Sequence, residues 1–156
     1  MQVVTHSMED TRSFASTILG IIKQFVISQR DMLVDSFATV LTLSGPLGSG
    51  KTALTKKIAA SLGVVEDVTS PTFVLRSDYT TSDSIFSTLI HIDAYRLHTS
   101  EPDTIGWGEI ITNPKALIVV EWPEHLPGQL PPHHFSVKAS VEHSVHTFAF
   151  STISTV

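Results

Sequence analysis

Eight consecutive residues have the types and spacing to hold a polyphosphate. Gly45-Pro46-Leu47-Gly48-Ser49-Gly50-Lys51-Thr52 matches the pattern G-x-x-x-x-G-K-[ST] at every fixed position. The chemistry this implies is anion binding. Glycines let backbone N–H groups turn inward and come close to phosphate oxygens. A helix beginning near Gly50 would aim its free N–H groups and its positive dipole end at the same anion. Lys51 has the reach for β- and γ-phosphates, and the Thr52 hydroxyl is a ligand type for Mg²⁺. Such a loop needs a carboxylate to organise metal and water, usually at the end of an apolar strand. Two candidates meet that description, Asp93 after Leu89-Ile90-His91-Ile92 and Glu121 after Ile118-Val119-Val120. Ser70-Pro71-Thr72 has the residue types of a switch loop, with a hydroxyl able to sense a γ-phosphate.

These residues need elements to hold them. Thr39 to Leu43 reads as a short buried strand running into the glycine loop, and Lys51 to Ser61 as the helix leaving it. Leu54, Ile58 and Leu62 share a face of that helix, and Gly63 is a natural stop. Ile85 to Asp93 reads as a second strand, whose alternation would put His91, Asp93 and Tyr95 on one face and Ile90 and Ile92 on the other. Ala116 to Glu121 is apolar up to its terminal carboxylate, as a central strand should be. Upstream, Ser7 caps a helix whose Phe14, Ile18, Ile21, Ile22 and Phe25 recur at helical spacing. Ser28 to Ser36 reads either as a second short helical piece or as a loop. Phe73 to Leu75 has strand character, Asp78 to Ser84 is a polar turn, and Glu101 to Ile111 is a short helix. Leu126 to Pro132 is a loop, and Phe135 to Val141 with Val145 to Phe150 form a C-terminal hairpin. The expectation is one α/β domain over residues 1–156, with a mixed, mainly parallel central sheet flanked by helices.

Composition narrows the function classes. At 42% hydrophobic and 16% charged residues the chain is globular. It has no cysteine, hence no disulfide framework and no thiol chemistry. The net charge of −5 argues against an extensive grip on nucleic acid, and the basic pair Lys56-Lys57 reads as a solvated helix face. DNA and membrane are not expected partners. The N-terminus lacks a basic and an apolar signal region, and the apolar run Ile18 to Ile27 is broken by Lys23 and Gln24, so a cytoplasmic location is expected. The eight histidines lack metal-ligand spacing and read as surface residues. Arginine is confined to positions 12, 30, 76 and 96, too few for the phosphate-clamping lid of a small-molecule kinase. An NTPase dependent on a partner fits better, and a nucleotide-dependent scaffold without hydrolysis is the other reading.

Four blocks in order then resemble one family. Gly45 to Thr52, Ser70-Pro71-Thr72-Phe73, His91-Ile92-Asp93-Ala94-Tyr95-Arg96-Leu97 and Val120-Glu121-Trp122-Pro123-Glu124 look like TsaE (YjeE), the bacterial P-loop ATPase of tRNA threonylcarbamoyladenosine biosynthesis. The resemblance implies ATP and Mg²⁺ binding with slow intrinsic hydrolysis. It implies partnership with a TsaB–TsaD complex, most directly through TsaD, that modifies adenosine 37 of ANN-decoding tRNAs; contact with the tRNA itself would be indirect or weak. By the matching blocks, nucleotide binding falls to Gly45, Leu47, Gly48, Ser49, Gly50, Lys51, Thr52, Ala53, Ser70, Thr72 and Trp122. Catalytic roles fall to Lys51, Asp93 and Glu121, and metal binding to Thr52, Asp93 and Glu121. The chain differs from the family pattern at Pro46, where an acid is common, and in the hairpin, where His143 and His146 occupy a region that often carries arginine.

Overall fold

The computed structural model describes residues 1–29, 37–71, 73–97, 102–126 and 128–154. The elements in chain order are β1 (Gln2–Thr5), α1 (Met8–Gln29), β2 (Thr39–Ser44), α2 (Lys51–Ser61), β3 (Arg76–Thr80), β4 (Thr88–Asp93), α3 (Trp107–Ile110), β5 (Ala116–Glu121), β6 (His133–Glu142) and β7 (Val145–Ser154). The strands form one seven-stranded sheet in the order β1-β7-β6-β2-β5-β4-β3. Its middle is parallel, since β2 runs parallel to both β5 and β6, and β4 parallel to β5. Both flanks are antiparallel, through β6–β7–β1 on one side and β3–β4 on the other. The expected mixed α/β architecture and C-terminal hairpin are therefore present.

The pleat divides the apolar residues into two cores. Leu41, Leu43, Leu89, Leu117 and Val119 point to the face covered by α1 and α2, where they meet Phe14, Ile18, Leu54 and Ile58. Val40, Ile90, Ile92, Ile118 and Val120 point the other way, onto Ile105, Trp107 and Ile110. All six residues of β5 are buried, which accounts for its apolar sequence: a parallel strand covered on both faces has no polar side. α1 begins as the sequence indicates. The Asp10 N–H donates to Ser7 Oγ at 3.1 Å and the His6 N–H donates to Asp10 Oδ2 at 2.9 Å, so two end-of-helix donors are satisfied together. Hydrogen bonding from the His6 N–H, and next from the Ser7 side chain, holds the Asp10 carboxyl below its ordinary pKa. An ion pair between Lys23 and Asp83 ties α1 to the turn before β4.

Three sequence expectations need correction or fall outside these residues. The expected strand Phe73 to Leu75 is displaced: Phe73 and Val74 lie in an exposed turn, and β3 is Arg76–Thr80, which takes Asp78 to Thr80 out of the expected polar turn. β3 is an edge strand with a wet face, so its backbone pairing with β4, rather than an apolar pattern, defines it. Tyr95 does not continue β4, because a 3₁₀ turn, Ala94–Arg96, starts directly after Asp93. Most of the ambiguous stretch from Ser28 onward, residues 30–36, lies outside the described residues, although Ser28 closes α1. The strand β1 is not indicated by its own sequence; it exists through pairing with β7, Gln2 opposite Ala149 and Thr5 opposite His146. Among the described residues no helix is long and apolar enough to cross a membrane.

Candidate functional site

The glycine loop links β2 to α2 at the carboxyl end of the parallel strands, where open α/β sheets place their ligands. Two of the loop's glycines leave little or no room for a side chain. A Cβ on Gly45, at φ +139°, would stand 2.1 Å from the Ala139 carbonyl oxygen of β6. A Cβ on Gly50, at φ +94°, would press on Phe148 and His146 of β7. The hairpin thus backs the loop, and His146 Nδ1 lies 3.2 Å from the Ser49 carbonyl. Gly48 is different, with φ +76° and open space where a side chain would be.

A cavity of about 470 Å³ opens beneath the loop. The loop residues Leu47 to Ala53 line one wall. Ser70, Asp93, Glu121 and Trp122 line the other, so the sequence-predicted residues from all four blocks converge. Gly45 stands behind the wall, its carbonyl accepting a hydrogen bond from Lys51 Nζ at 2.7 Å. Thr72 lies outside the described residues. Lys51 also donates to the Pro46 carbonyl at 2.9 Å and lies 4.1 Å above the centre of the Trp122 ring. Burial holds the Lys51 ammonium below its ordinary pKa, against the pull of Glu121, Glu124 and Asp93.

The two strand-end carboxylates are neighbours, because Asp93 of β4 pairs in register with Glu121 of β5. Each is tethered. Asp93 accepts from the Ser70 hydroxyl at 2.9 Å and from the Tyr95 N–H at 3.1 Å. Glu121 takes the Thr52 hydroxyl between its two oxygens, at 2.9 and 3.1 Å. Its Oε1 is also 2.8 Å from Nε2 of His91.

The chain matches the family model "Threonylcarbamoyl adenosine biosynthesis protein TsaE" over residues 5–147. The chain belongs to the TsaE family. Individual TsaE relatives agree. The tRNA threonylcarbamoyladenosine biosynthesis protein TsaE of Treponema pallidum is 30% identical over 90% of this chain and 92% of its own length. The TsaE proteins of Synechocystis and Mycobacterium tuberculosis are 39% identical, over 60% and 67% of this chain. Those two matches span 59% and 66% of the relatives' own lengths. The crystal structure of Bacillus subtilis YdiB superposes with a TM-score of 0.69 over 99% of this chain and 86% of that one, at 24% identity, and shows the same fold.

In this TsaE chain the donors around the cavity suit a hard cation beside a polyphosphate. The Thr52 hydroxyl and the Asp93 and Glu121 carboxylates offer oxygen alone, and oxygen donor sets favour Mg²⁺ over softer metals. The loop itself carries a buried Ser49 hydroxyl without a hydrogen-bond partner among the described residues, set between the N–H-bearing glycines. One histidine that the sequence reading placed on the surface touches the site. His91 is not on the surface but fully buried. Tyr95, Trp122 and His125 form an aromatic cluster beside the cavity, with Tyr95 and Trp122 ring centres 5.0 Å apart. His125 is locked by its Nδ1 contact with the Ala94 carbonyl at 2.9 Å. Trp122 adopts a left-handed backbone, φ +58° and ψ +53°, an arrangement costing an ordinary residue roughly 1–2 kcal/mol. That turn aims the indole at Lys51 instead of continuing β5.

Proposed function

We propose that this TsaE-family chain binds ATP with Mg²⁺ in the cavity under the glycine loop and hydrolyses it slowly. The convergence of Lys51, Thr52, Asp93 and Glu121 on one cavity carries the reading. The phosphates would lie against the N–H groups of Gly48 to Thr52 and the α2 N-terminus, with Lys51 leaving the Gly45 and Pro46 carbonyls for the anion. Thr52, Asp93 and Glu121 would hold the metal and the attacking water. The Thr52 proton already points to Glu121, which leaves the hydroxyl oxygen's lone pairs for a cation. Mg²⁺, when bound, supplies charge neutralisation between the β- and γ-phosphate oxygens. Ser70, bonded to Asp93, gives the 70–72 loop a direct link to the nucleotide state.

The family and the relatives' names support a role in tRNA threonylcarbamoyladenosine biosynthesis; our reading places that role in the cytoplasm, at adenosine 37 of ANN-decoding tRNAs. In that role the ATPase supports turnover of a TsaB–TsaD complex and does not itself transfer the group. The test is ATP hydrolysis by the purified chain, alone and with its cognate TsaB–TsaD. A weak rate raised by the complex and abolished in Glu121→Ala is expected. Tight binding without turnover in either condition would replace the reading with a nucleotide-gated scaffold. Phosphate transfer to an added metabolite would indicate a small-molecule kinase.

A further inference from the structure

His91 touches a residue of this site and has no role in the mechanism so far. It sits on β4 two residues before Asp93, on the same pleat face, with a fully buried side chain. Its neighbours on that face, Leu89 and Val119, are core residues. A histidine buried this deeply costs free energy unless its polar atoms are used. One is: Nε2 lies 2.8 Å from Glu121 Oε1. The other is not: Nδ1 has no partner among the described residues.

That asymmetry fixes the hydrogen. A carboxylate accepts only, so the hydrogen on this contact belongs to the imidazole. A hydrogen on Nδ1 would be buried with nothing to receive it. We infer that His91, as the Nε2–H tautomer, is a positioning residue that holds Glu121 in the orientation needed to accept the Thr52 proton and serve the cation site. Glu121 is then clamped from both sides of the sheet's carboxyl edge, by His91 from β4 and by Thr52 from α2. Without His91, the Thr52 hydroxyl is the sole side chain among the described residues that hydrogen-bonds the carboxylate, and one hydroxyl shared by two oxygens does not set the rotation of the carboxyl group. Groups that orient ligating carboxylates commonly change metal affinity 10–100-fold when removed. The inference rests on the Mg²⁺·ATP reading for its function, but not for its geometry.

Two measurements test it separately. In the free wild-type chain, long-range ¹H–¹⁵N correlation spectra report which ring nitrogen of His91 carries hydrogen. Hydrogen on Nε2 with a bare Nδ1 is expected, and the Nδ1–H tautomer overturns the inference whatever the protein's activity. Calorimetry then compares ADP binding with Mg²⁺ and with EDTA in wild type, His91→Leu and His91→Gln. Leucine fits the apolar surroundings without a donor, and glutamine places an N–H at about the reach of Nε2. The Mg²⁺-dependent gain in affinity should fall roughly tenfold or more in His91→Leu, with affinity in EDTA unchanged, and return to within about threefold of wild type in His91→Gln. Equal gains in wild type and His91→Leu, or equal losses in both variants, overturn the positioning role. If wild type gains nothing from Mg²⁺, the proposed metal site fails, and the tautomer alone decides the place of His91.

Discussion

Replacing Gly45 by alanine should damage this protein far more than the same change at Gly48. Both glycines have positive φ, and both lie in the same loop. The left-handed backbone alone costs an alanine roughly 1 kcal/mol at either position. At Gly48 nothing stands within 4 Å of the new methyl, so that cost is the whole effect on stability. At Gly45 the methyl would stand 2.1 Å from the Ala139 carbonyl oxygen and 3.0 Å from Ser49 Oγ. The first atom is backbone in the interior strand β6 and cannot swing aside. Relieving such an overlap moves either the loop or the strand, which adds roughly 1–3 kcal/mol. The total for Gly45→Ala is therefore about 3 kcal/mol. With about 2.1 cal/mol/K per residue, the 156-residue chain has an unfolding entropy of about 0.33 kcal/mol/K. Thermal unfolding of the nucleotide-free protein should then drop by about 9 °C for Gly45→Ala and about 3 °C for Gly48→Ala. Equal shifts in the two variants would refute the claim that β6 backs the phosphate loop.

Four further outcomes are expected. Lys51→Met should remove ADP binding in calorimetry while leaving the fold intact. Because burial lowers the Lys51 pKa below 10.5, the folded chain releases that proton before the unfolded chain does. The wild type should therefore gain stability relative to Lys51→Met as pH rises from the folded pKa towards 10.5, and lose nucleotide affinity over the same interval. At Asp83, burial raises the carboxyl pKa, but Lys23 and the N–H groups of Phe86 and Ile85 lower it more, for a net decrease below 3.8. Its contribution is present above 3.8 and lost as pH falls through the folded value, so acid unfolding of wild type and Asp83→Asn should converge there; a Lys23→Met/Asp83→Asn double-mutant cycle should give a coupling of about 1 kcal/mol near neutral pH. Nucleotide that draws Lys51 away from the Trp122 ring should change tryptophan emission, and Trp122→Phe should abolish the change, since Trp107 is buried and does not line the cavity. Ser7→Ala should cost about 1 kcal/mol in chemical denaturation by removing the α1 cap.

The features legible in the sequence are those whose signals are local. The glycine loop, the strand before it and the helix after it are contiguous, so spacing alone identifies them. β5 reads correctly because burial on both faces demands an unbroken apolar run. The β6–β7 hairpin is likewise a short-range pattern. What the sequence conceals depends on pairing between distant segments. β1 carries only four residues and is made a strand by β7, more than 140 positions away. β3 is polar because it is an edge, and polarity there resembles a turn. His91 looks like a surface histidine until β4 is placed beside β5, which brings it within 2.8 Å of Glu121. A partial signal did exist: His91 and Asp93 share a pleat face, and Asp93 occupies the same strand-end position as Glu121. Converting that into a contact needs the strand order, which no local pattern supplies.

The backing of the glycine loop by β6 and β7 bears on how the protein is made. Gly45 and Gly50 emerge from the ribosome early, but Ala139, His146 and Phe148, which shape the loop, follow roughly 90 residues later. At about 5–20 residues per second that gap lasts roughly 5 to 20 s. Through most of it β2 lacks both parallel partners, β5 and β6, and throughout it the nascent chain has no finished cradle. On the proposed reading, nucleotide would find no finished cradle until the last hairpin has closed. Truncations that spare the entire glycine motif but remove the hairpin should yield chains that never bind nucleotide and that expose the apolar edge of β2 to aggregation.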